Sequence, residues 1–440
     1  MSATPVPNPA FSTGRNSEVI AKAVERLDYR GTVGDIAAQA GLDINFAQQG
    51  LLVLASQAGG HLQVAESGEI VYEFPRNFQQ ILQNKDFRSR LKHQWEKIWR
   101  VLFYLIRISF GIVLILLIVA AILAIVALTI AANSNRDNDR GGNDHGGYGL
   151  PGFGFNPSFF WIFYPDYDSR RLREHRKPND MNFLEAVFSF LFGDGNPNHD
   201  LEEQRWQTIA TVIRNNRGAV IAEQIAPYLD DVGTGYEKEY EQYMLPVLTR
   251  FDGRPEISSD GQLVYHFPSL QTTVVQKRSQ LVPTFLREVL YQFSKASSGQ
   301  LVLAAGLGGV LLVLAIVLNS MIAGGGLVAS GAIVLIRAIA AVSLGYSATY
   351  LTVPIVRYFV IKRRNRRIAD RNHQREARAA YLTHPDPTVQ QKLIYAQQFA
   401  QETVIQDSDL IYTTETDLTE QESDRSTQID AEWQRRLEGR

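Results

Sequence analysis

The run Asp194-Gly195-Asn196-Pro197-Asn198-His199-Asp200 sets oxygen-bearing side chains at alternate positions, the spacing with which a loop wraps a calcium ion. Asp194 and Asn196 are therefore the first candidate ligands. Gly is missing at the sixth place of such a loop and Arg205 stands at the twelfth, where a bidentate Glu belongs, so a tight turn capping the next helix fits these residues better. Asp137 and Asp139, in a glycine-rich stretch, read the same way. Arg337 is the second candidate. A cation inside an apolar run costs about 2.5 to 3.5 kcal/mol on insertion scales, so it needs a partner, water or a place near an interface. With no Asp or Glu in the other apolar runs to meet it, a transport path is weakly supported.

Other chemistry is thinly represented. The 8 His residues, among them His61, His93, His145, His175 and His266, lack metal-ligand spacing. The absence of Cys excludes disulfides, thiolate zinc sites, cysteine nucleophiles and cysteine-ligated clusters. No nucleophile elbow, P-loop, dinucleotide fingerprint or zincin motif occurs. Nothing in the sequence argues for an enzyme, and no catalytic, cofactor-binding or metal-binding residue is expected.

The elements around these residues are organised by a repeat. Gly68-Glu-Ile-Val-Tyr-Glu-Phe-Pro75 returns as Gly261-Gln-Leu-Val-Tyr-His-Phe-Pro268, and Arg30-Gly31-Thr32-Val33 before Ile36-Ala37 parallels Arg217-Gly218-Ala219-Val220 before Ile225-Ala226. In the first copy, apolar spacing predicts helices over 17–28, 33–40 and 45–58, the last two stopped by Gly41 and Gly59, then a hairpin over 61–74. Helix, helix, helix and hairpin suggest a winged-helix-like module over 17–75, and the same order recurs over 203–268. The fold class expected is mostly α with small β-hairpins, tandem winged-helix-like domains combined with transmembrane helices in a multi-pass membrane protein.

Residues 101–132 form an apolar run well beyond the ~20 residues that cross a bilayer. Trp95 and Trp99 stand at its start, where an aromatic belt would lie, and the basic stretch Lys85 to Arg100 precedes it, which puts the N-terminal module inside, in cytoplasm or stroma. A second apolar block, 301–361, is expected to hold two or three helices and ends in Lys362, Arg363, Arg364, Arg366, Arg367 and Arg371. Three simple crossings would separate two basic clusters that both ask for the inside face. A second crossing within 327–361, or a return through the aromatic segment Phe153 to Tyr164, followed by the basic cluster Arg170 to Lys177, would remove the conflict. The remaining divisions are a disordered N-terminus (1–16), a basic juxtamembrane helix (76–100), a glycine-rich aromatic loop (133–180), an amphipathic helix and turn (181–202), a juxtamembrane helix (269–300), and a basic helix with a mobile acidic tail (362–440).

Winged helices often bind DNA through Lys and Arg that neutralise phosphates. Over Glu18 to Glu73 acidic residues outnumber basic ones 8 to 3, over Arg205 to Phe267 9 to 6, and the third helix has no Lys or Arg. The electrostatic footprint of a nucleic-acid binder is missing, so these modules read as protein-docking surfaces. The chain as a whole carries a net charge of −2, which points to no nucleic-acid partner either. Protein partners and membrane lipids, the latter at the basic stretches Lys85 to Arg100 and Lys362 to Arg378, are the partners expected.

Met181-Asn-Phe-Leu-Glu-Ala-Val-Phe-Ser-Phe-Leu-Phe-Gly-Asp-Gly-Asn-Pro-Asn198, followed by Glu202-Glu-Gln-Arg-Trp206 and Tyr265-His-Phe-Pro268, resembles an uncharacterised membrane-protein family of cyanobacteria and plant plastids. Plastid members often carry the label "iron-sulfur cluster biosynthesis family", although this chain has no thiol to hold or pass on a cluster. The resemblance implies a thylakoid or plasma membrane in a photosynthetic organism and transfers no catalytic residue. Together these readings predict a membrane-anchored interaction scaffold or assembly factor for photosynthetic membrane complexes, with a membrane-tethered DNA-binding regulator and a small-solute transporter as alternatives.

Overall fold

The computed structural model describes residues 14–85, 87–134, 181–274, 280–324 and 331–438. Asp137, Asp139, Phe153 to Tyr164, Arg170 to Lys177 and most of the N-terminal and glycine-rich segments lie outside the described residues. In chain order the elements are α1 (Gly14–Arg26), β1 (Arg30–Thr32), α2 (Val33–Ala40), α3 (Ile44–Ala58), β2 (His61–Ala65), β3 (Ile70–Glu73), α4 (Phe78–Lys85), α5 (Phe87–Ser134), α6 (Phe183–Phe192) and α7 (Leu201–Asn215). There follow β4 (Ala219–Val220), α8 (Ala222–Ile225), α9 (Tyr236–Glu239), α10 (Leu245–Phe251), β5 (Arg254–Ile257), β6 (Leu263–His266), α11 (Pro268–Gln271) and β7 (Thr272–Thr273). The last are α12 (Ser298–Ala323), α13 (Gly331–Tyr381), α14 (Pro387–Ala396), β8 (Thr403–Val404), β9 (Leu410–Thr413) and α15 (Leu418–Glu438). The protein is thus mostly helical with small sheets. It divides into two compact units: 1–96, 197–290 and 366–440 form the first, and 97–196 with 291–365 the second.

In the first unit, the first repeat forms where sequence signals are strong. Thr32 and Asp35 make a reciprocal capping box at the start of α2, and Gly41, at φ +66°, ends it in the left-handed conformation that glycine adopts without strain. Asp43 caps α3 by accepting the Phe46 N–H at 3.1 Å. Ile20 and Val24 of α1 and Leu27 just after it pack on Ile36, Leu51, Leu54, Tyr72 and Phe74 to form its core. The second repeat keeps the order but shortens its second and third helices. Pro227 lies just beyond α8, where α2 would continue, and the chain turns into a 3₁₀ segment over Ala226–Tyr228. Its core, built on Trp206, Ile209, Ile213, Phe251, Tyr265 and Phe267, runs on into Ala37, Ile44 and Ala47 of the first repeat.

Strand pairing fixes how the copies correspond. Gly31 lies opposite Tyr72 and Val220 opposite Tyr265, so β1 and β4 match two residues away from the Arg-Gly alignment read in the sequence. Backbone conformation agrees: Asp28 and Tyr29 have φ of +56° and +69°, Arg217 and Gly218 +54° and +77°. Phe74 N–H donates to the Tyr29 carbonyl at 2.9 Å as Phe267 N–H does to Gly218 at 2.8 Å. The sheets are β1-β3-β2-β9 and β4-β6-β5, with β7 and β8 forming a parallel pair.

Two segments differ from expectation. The tail is not uniformly mobile: β9 pairs with β2 and β8 with β7, because the open edge of each offers backbone groups that the tail satisfies. Residues 280–297 form no juxtamembrane helix but an extended strap. Pro283 lacks an N–H, and two asparagines of α13 supply partners that a helix would otherwise provide. In the first unit, Glu288 N–H donates to Asn372 Oδ1 at 2.9 Å, and Asn372 Nδ2 to Glu288 O at 2.8 Å. In the second, Tyr291 and Asn365 make the same reciprocal pair at 2.9 Å in both directions.

The second unit is a helical bundle. Leu114 and Ile118 of α5, Leu307 and Leu311 of α12 and Tyr350 of α13 enclose Val187, Phe190 and Leu191 of α6, so that amphipathic helix is buried among its neighbours. Gly111 lets α5 approach Leu184, and Gly308 lets α12 approach Tyr350; an added Cβ would come within 2.7 and 2.5 Å of those side chains. The stretch after Gly331 is one helix of 51 residues with Pro354 inside it, so the described residues of the second apolar block hold two helices. Among the described residues, three helices, Ile98–Ala131, Ser298–Ala323 and Ile333–Tyr381, are long and apolar enough to cross a membrane.

Candidate functional site

Asp194 serves as a hub of protein contacts and is no empty ligand. Its carboxylate accepts from Ser189 Oγ at 2.7 Å, Lys295 N–H at 2.6 Å and Arg107 Nη2 at 3.2 Å, while Asn196 Oδ1 accepts from the Tyr291 hydroxyl at 2.7 Å. These bonds fix the turn after α6 in the second unit. Arg337 is exposed in the second turn of α13 from Gly331, level with Ile336 and Ile339, which pack on Leu318, Met321 and Ile322 at the end of α12. It sits near the end of an apolar helix instead of at its middle, where its long side chain can reach a polar boundary. Trp95 and Trp99 are exposed on α5. Among the described residues, no group of three or more His, Cys, Asp or Glu could hold a metal ion.

A tight group of polar residues lies between the repeats of the first unit, and sequence reasoning passed over it. Asp35, buried at the start of α2, accepts from Thr32 N–H and Oγ1 at 3.1 Å each, Thr273 Oγ1 at 2.8 Å and Val274 N–H at 3.2 Å, and pairs with Arg214 of α7. Burial pushes its pKa up, but the Arg214 guanidinium and these donors outweigh that and hold the carboxyl below the usual range. Arg250 of α10 donates two hydrogen bonds, at 3.0 and 2.7 Å, to the Gly41 carbonyl that ends α2, and its guanidinium lies 4.4 Å from the Trp206 ring centre.

Two further clusters tie the C-terminal segment to the second repeat. Arg375 of α13, with no exposed surface, donates to Leu286 O at 2.9 Å and pairs with Asp230 and Glu288, and Glu288 also takes a two-pronged bond from Arg371 at 2.7 and 2.6 Å. Lys392 of α14 sits between Glu223 and Glu241 at 2.8 and 2.6 Å. Burial lowers its pKa but the two carboxylates raise it further, for a net rise. Arg371, Arg375 and Arg378 therefore bind protein groups, leaving Lys362, Arg363, Arg364, Arg366 and Arg367 as the exposed part of the basic stretch expected to meet lipid. The Thr32-x-x-Asp35 spacing could have marked Asp35 as a cap. Its long-range partners had no signal in the sequence.

Beside the Asp35 cluster, a cleft of about 470 Å³ is lined by Gln39, Gln207, Thr211, Arg214, Arg217 and Gln271 among others. Its amides, hydroxyls and cations suit hydrogen bonding to a ligand surface, and they do not form a nucleophile paired with a base. On the first repeat, the outward residues of α3 are Asn45, Gln48, Gln49, Leu52, Val53, Ser56 and Gln57, an uncharged face with Leu52 46% and Val53 37% exposed.

A folded unit of two related modules, small antiparallel sheets and three long apolar helices are consistent with a membrane protein. The chain is 36% identical over 430 residues to the Arabidopsis thaliana protein At5g03900, an uncharacterised chloroplastic protein, with 94% of this chain and 81% of that one covered, and it belongs to that protein's family. No family model matches the chain, and no solved structure matches it.

Proposed function

We propose that the protein is a membrane-anchored interaction scaffold or assembly factor of a plastid or cyanobacterial membrane, with photosynthetic complexes as its clients. The observation that carries this reading is the gathering of both repeats and the C-terminal segment into one folded unit, on a chain whose α5, α12 and α13 present large apolar side chains outward. Parts of one compact unit share one side of any bilayer, which favours both repeats facing cytoplasm or stroma. α12 and most of the apolar part of α13 lie in the sequence between Leu290 and Arg366, where one part of that unit ends and the next begins. The chloroplastic relative supports the plastid setting.

The repeats act here as winged-helix-like docking modules. The α3 face that would enter a DNA groove offers Gln48, Gln49, Leu52 and Val53 and no cation, which favours protein over phosphate. The exposed position of Arg337 disfavours solute transport, because a translocation path needs polar groups facing inward.

The test is purification of the full chain from membranes solubilised in mild detergent, beside a Leu52→Asp variant. The expected result is one reproducible set of membrane-complex proteins, reduced at least about tenfold by a charge in the apolar face. Recovery of the chain alone, or an unchanged set with the variant, defeats this reading. Salt-sensitive retention of duplex DNA by the full chain would favour the regulator instead.

A further inference from the structure

We infer that α15 is a second docking element, an acidic amphipathic helix that inserts Ile429, Trp433 and Leu437 into an apolar groove with a basic rim on another protein. This rests on the scaffold reading and adds a partner-binding surface to it. The three residues are spaced four apart, so they follow one face of the helix, and they are 47%, 59% and 69% exposed. Large apolar side chains along one face are how a helix fills a groove. Gln421 ties the first turn to β9 through Thr413, so the start of the helix is held at a fixed point while Ile429, Trp433 and Leu437 further along it are exposed.

Charge identifies the occupant. Over Leu418–Glu438 there are six acidic residues, Glu420, Glu422, Asp424, Asp430, Glu432 and Glu438, against Arg425, Arg435 and Arg436. Helices that lie on anionic membranes carry Lys and Arg on their polar face, and this one would be repelled. A second copy would set like charges against each other, and the apolar stripe is shorter than the three or four heptads that define a coiled coil. A protein groove rimmed by Lys and Arg matches both features.

The experiment places a photocrosslinker in the full chain in its native membrane, as Trp433→p-benzoylphenylalanine, and sequences the crosslinked peptides. The expected product joins one other protein through an apolar segment flanked by Lys or Arg. Its yield should fall at least about tenfold with Ile429→Asp or Leu437→Asp, the loss given by keeping one large apolar side chain out of its pocket, and several-fold between 50 mM and 500 mM salt. Crosslinks to lipid, to a second copy or to the same chain, an acidic acceptor peptide, or no product would each overturn the inference. If the Leu52→Asp experiment still loses its partners while this one fails, the α15 inference falls alone and the scaffold reading stands.

Discussion

The two repeats share an order of elements and a Val-Tyr pair at the centre of each sheet, yet at matched positions they answer the same structural need with different chemistry. Where the first repeat has a full capping box of Thr32 and Asp35, the second has Ile221 at the cap, which cannot accept, and keeps only the return half: Gln224 Oε1 accepts the Ile221 N–H at 3.0 Å. Where the first has Gly34, the second has Glu223. Where the first leaves an edge strand open at Leu62, the second has Pro255. The charged, small and open versions all lie where the first repeat is covered by other parts of the chain. Duplication supplied two similar modules, and divergence at these positions goes with a different cover for each: β9 and the end of the second repeat on the first, α14 on the second.

The largest expected effect tests these two helix starts. Asp35→Ala leaves Arg214 largely buried without its carboxylate and should weaken the first unit by about 3–5 kcal/mol, against about 1 kcal/mol for the neutral cap lost in Gln224→Ala. Hydrogen exchange of the α2, α7 and α8 amides in the full chain measures both, and equal losses would break the comparison. The pH dependence follows from the same pair. Because the folded state depresses the Asp35 pKa, its stabilisation is present above the unfolded value of 3.8 and is lost as pH falls through the folded one. Protection of α2 should therefore decline on acidification below about pH 4, and Asp35→Asn should flatten that decline.

Gly34→Ala comes next. A Cβ there would stand 1.8 Å from the Ser269 carbonyl at the end of the second repeat, so backbone must move, at a cost of about 1–3 kcal/mol. The matched Glu223 already bears a side chain, directed to Lys392, and Glu223→Ala leaves that lysine its second carboxylate at Glu241. Disruption of the inter-repeat packing by Gly34→Ala, read as faster exchange in both α2 and α11, sharpens the contrast. A neutral Gly34→Ala would mean the repeats are not held this closely.

Local signals in the sequence reached far here. The bounds of α2, α3 and both hairpins follow from Gly41, Gly59 and the alternating strands, and the three long apolar helices follow from hydropathy. What stayed hidden depends on residues distant in the chain. The strap at 280–297 is extended because Asn365 and Asn372 lie opposite it, and the tail is ordered because β2 has an edge to fill, and neither condition is written near the segment it controls. The two-residue offset between β1 and β4 escaped because Gly31 and Gly218 look alike in sequence, whereas only Gly218 occupies a left-handed position. Asp194, singled out for its calcium-like spacing, turned out to be a hub of protein contacts for the same reason: its partners Arg107 and Lys295 are remote.

The smallest expected effect concerns the sheet edges. In the first repeat, Leu62 N–H donates to Thr414 Oγ1 at 2.9 Å and Leu62 O accepts the Thr414 N–H at 2.9 Å, so β9 covers the edge of β2. β9 then becomes the new edge, and Gln421 mimics one residue of a further strand, accepting the Thr413 N–H at 3.0 Å and donating to Thr413 O at 2.7 Å. In the second repeat Pro255 has no N–H to offer and the Ile257 carbonyl takes the Tyr395 hydroxyl at 3.2 Å. Both devices blunt an edge that would otherwise template pairing with another chain. Gln421→Ala should cost about 1 kcal/mol, with faster exchange confined to β9 and the start of α15, and should raise self-association at high concentration. Pro255→Val should restore an N–H to β5 without disturbing its core and should raise self-association less, because Tyr395 still covers the neighbouring carbonyl. If Pro255→Val associates more strongly than Gln421→Ala, proline is the more important guard, and the first repeat's covered edge owes its protection to β9 itself.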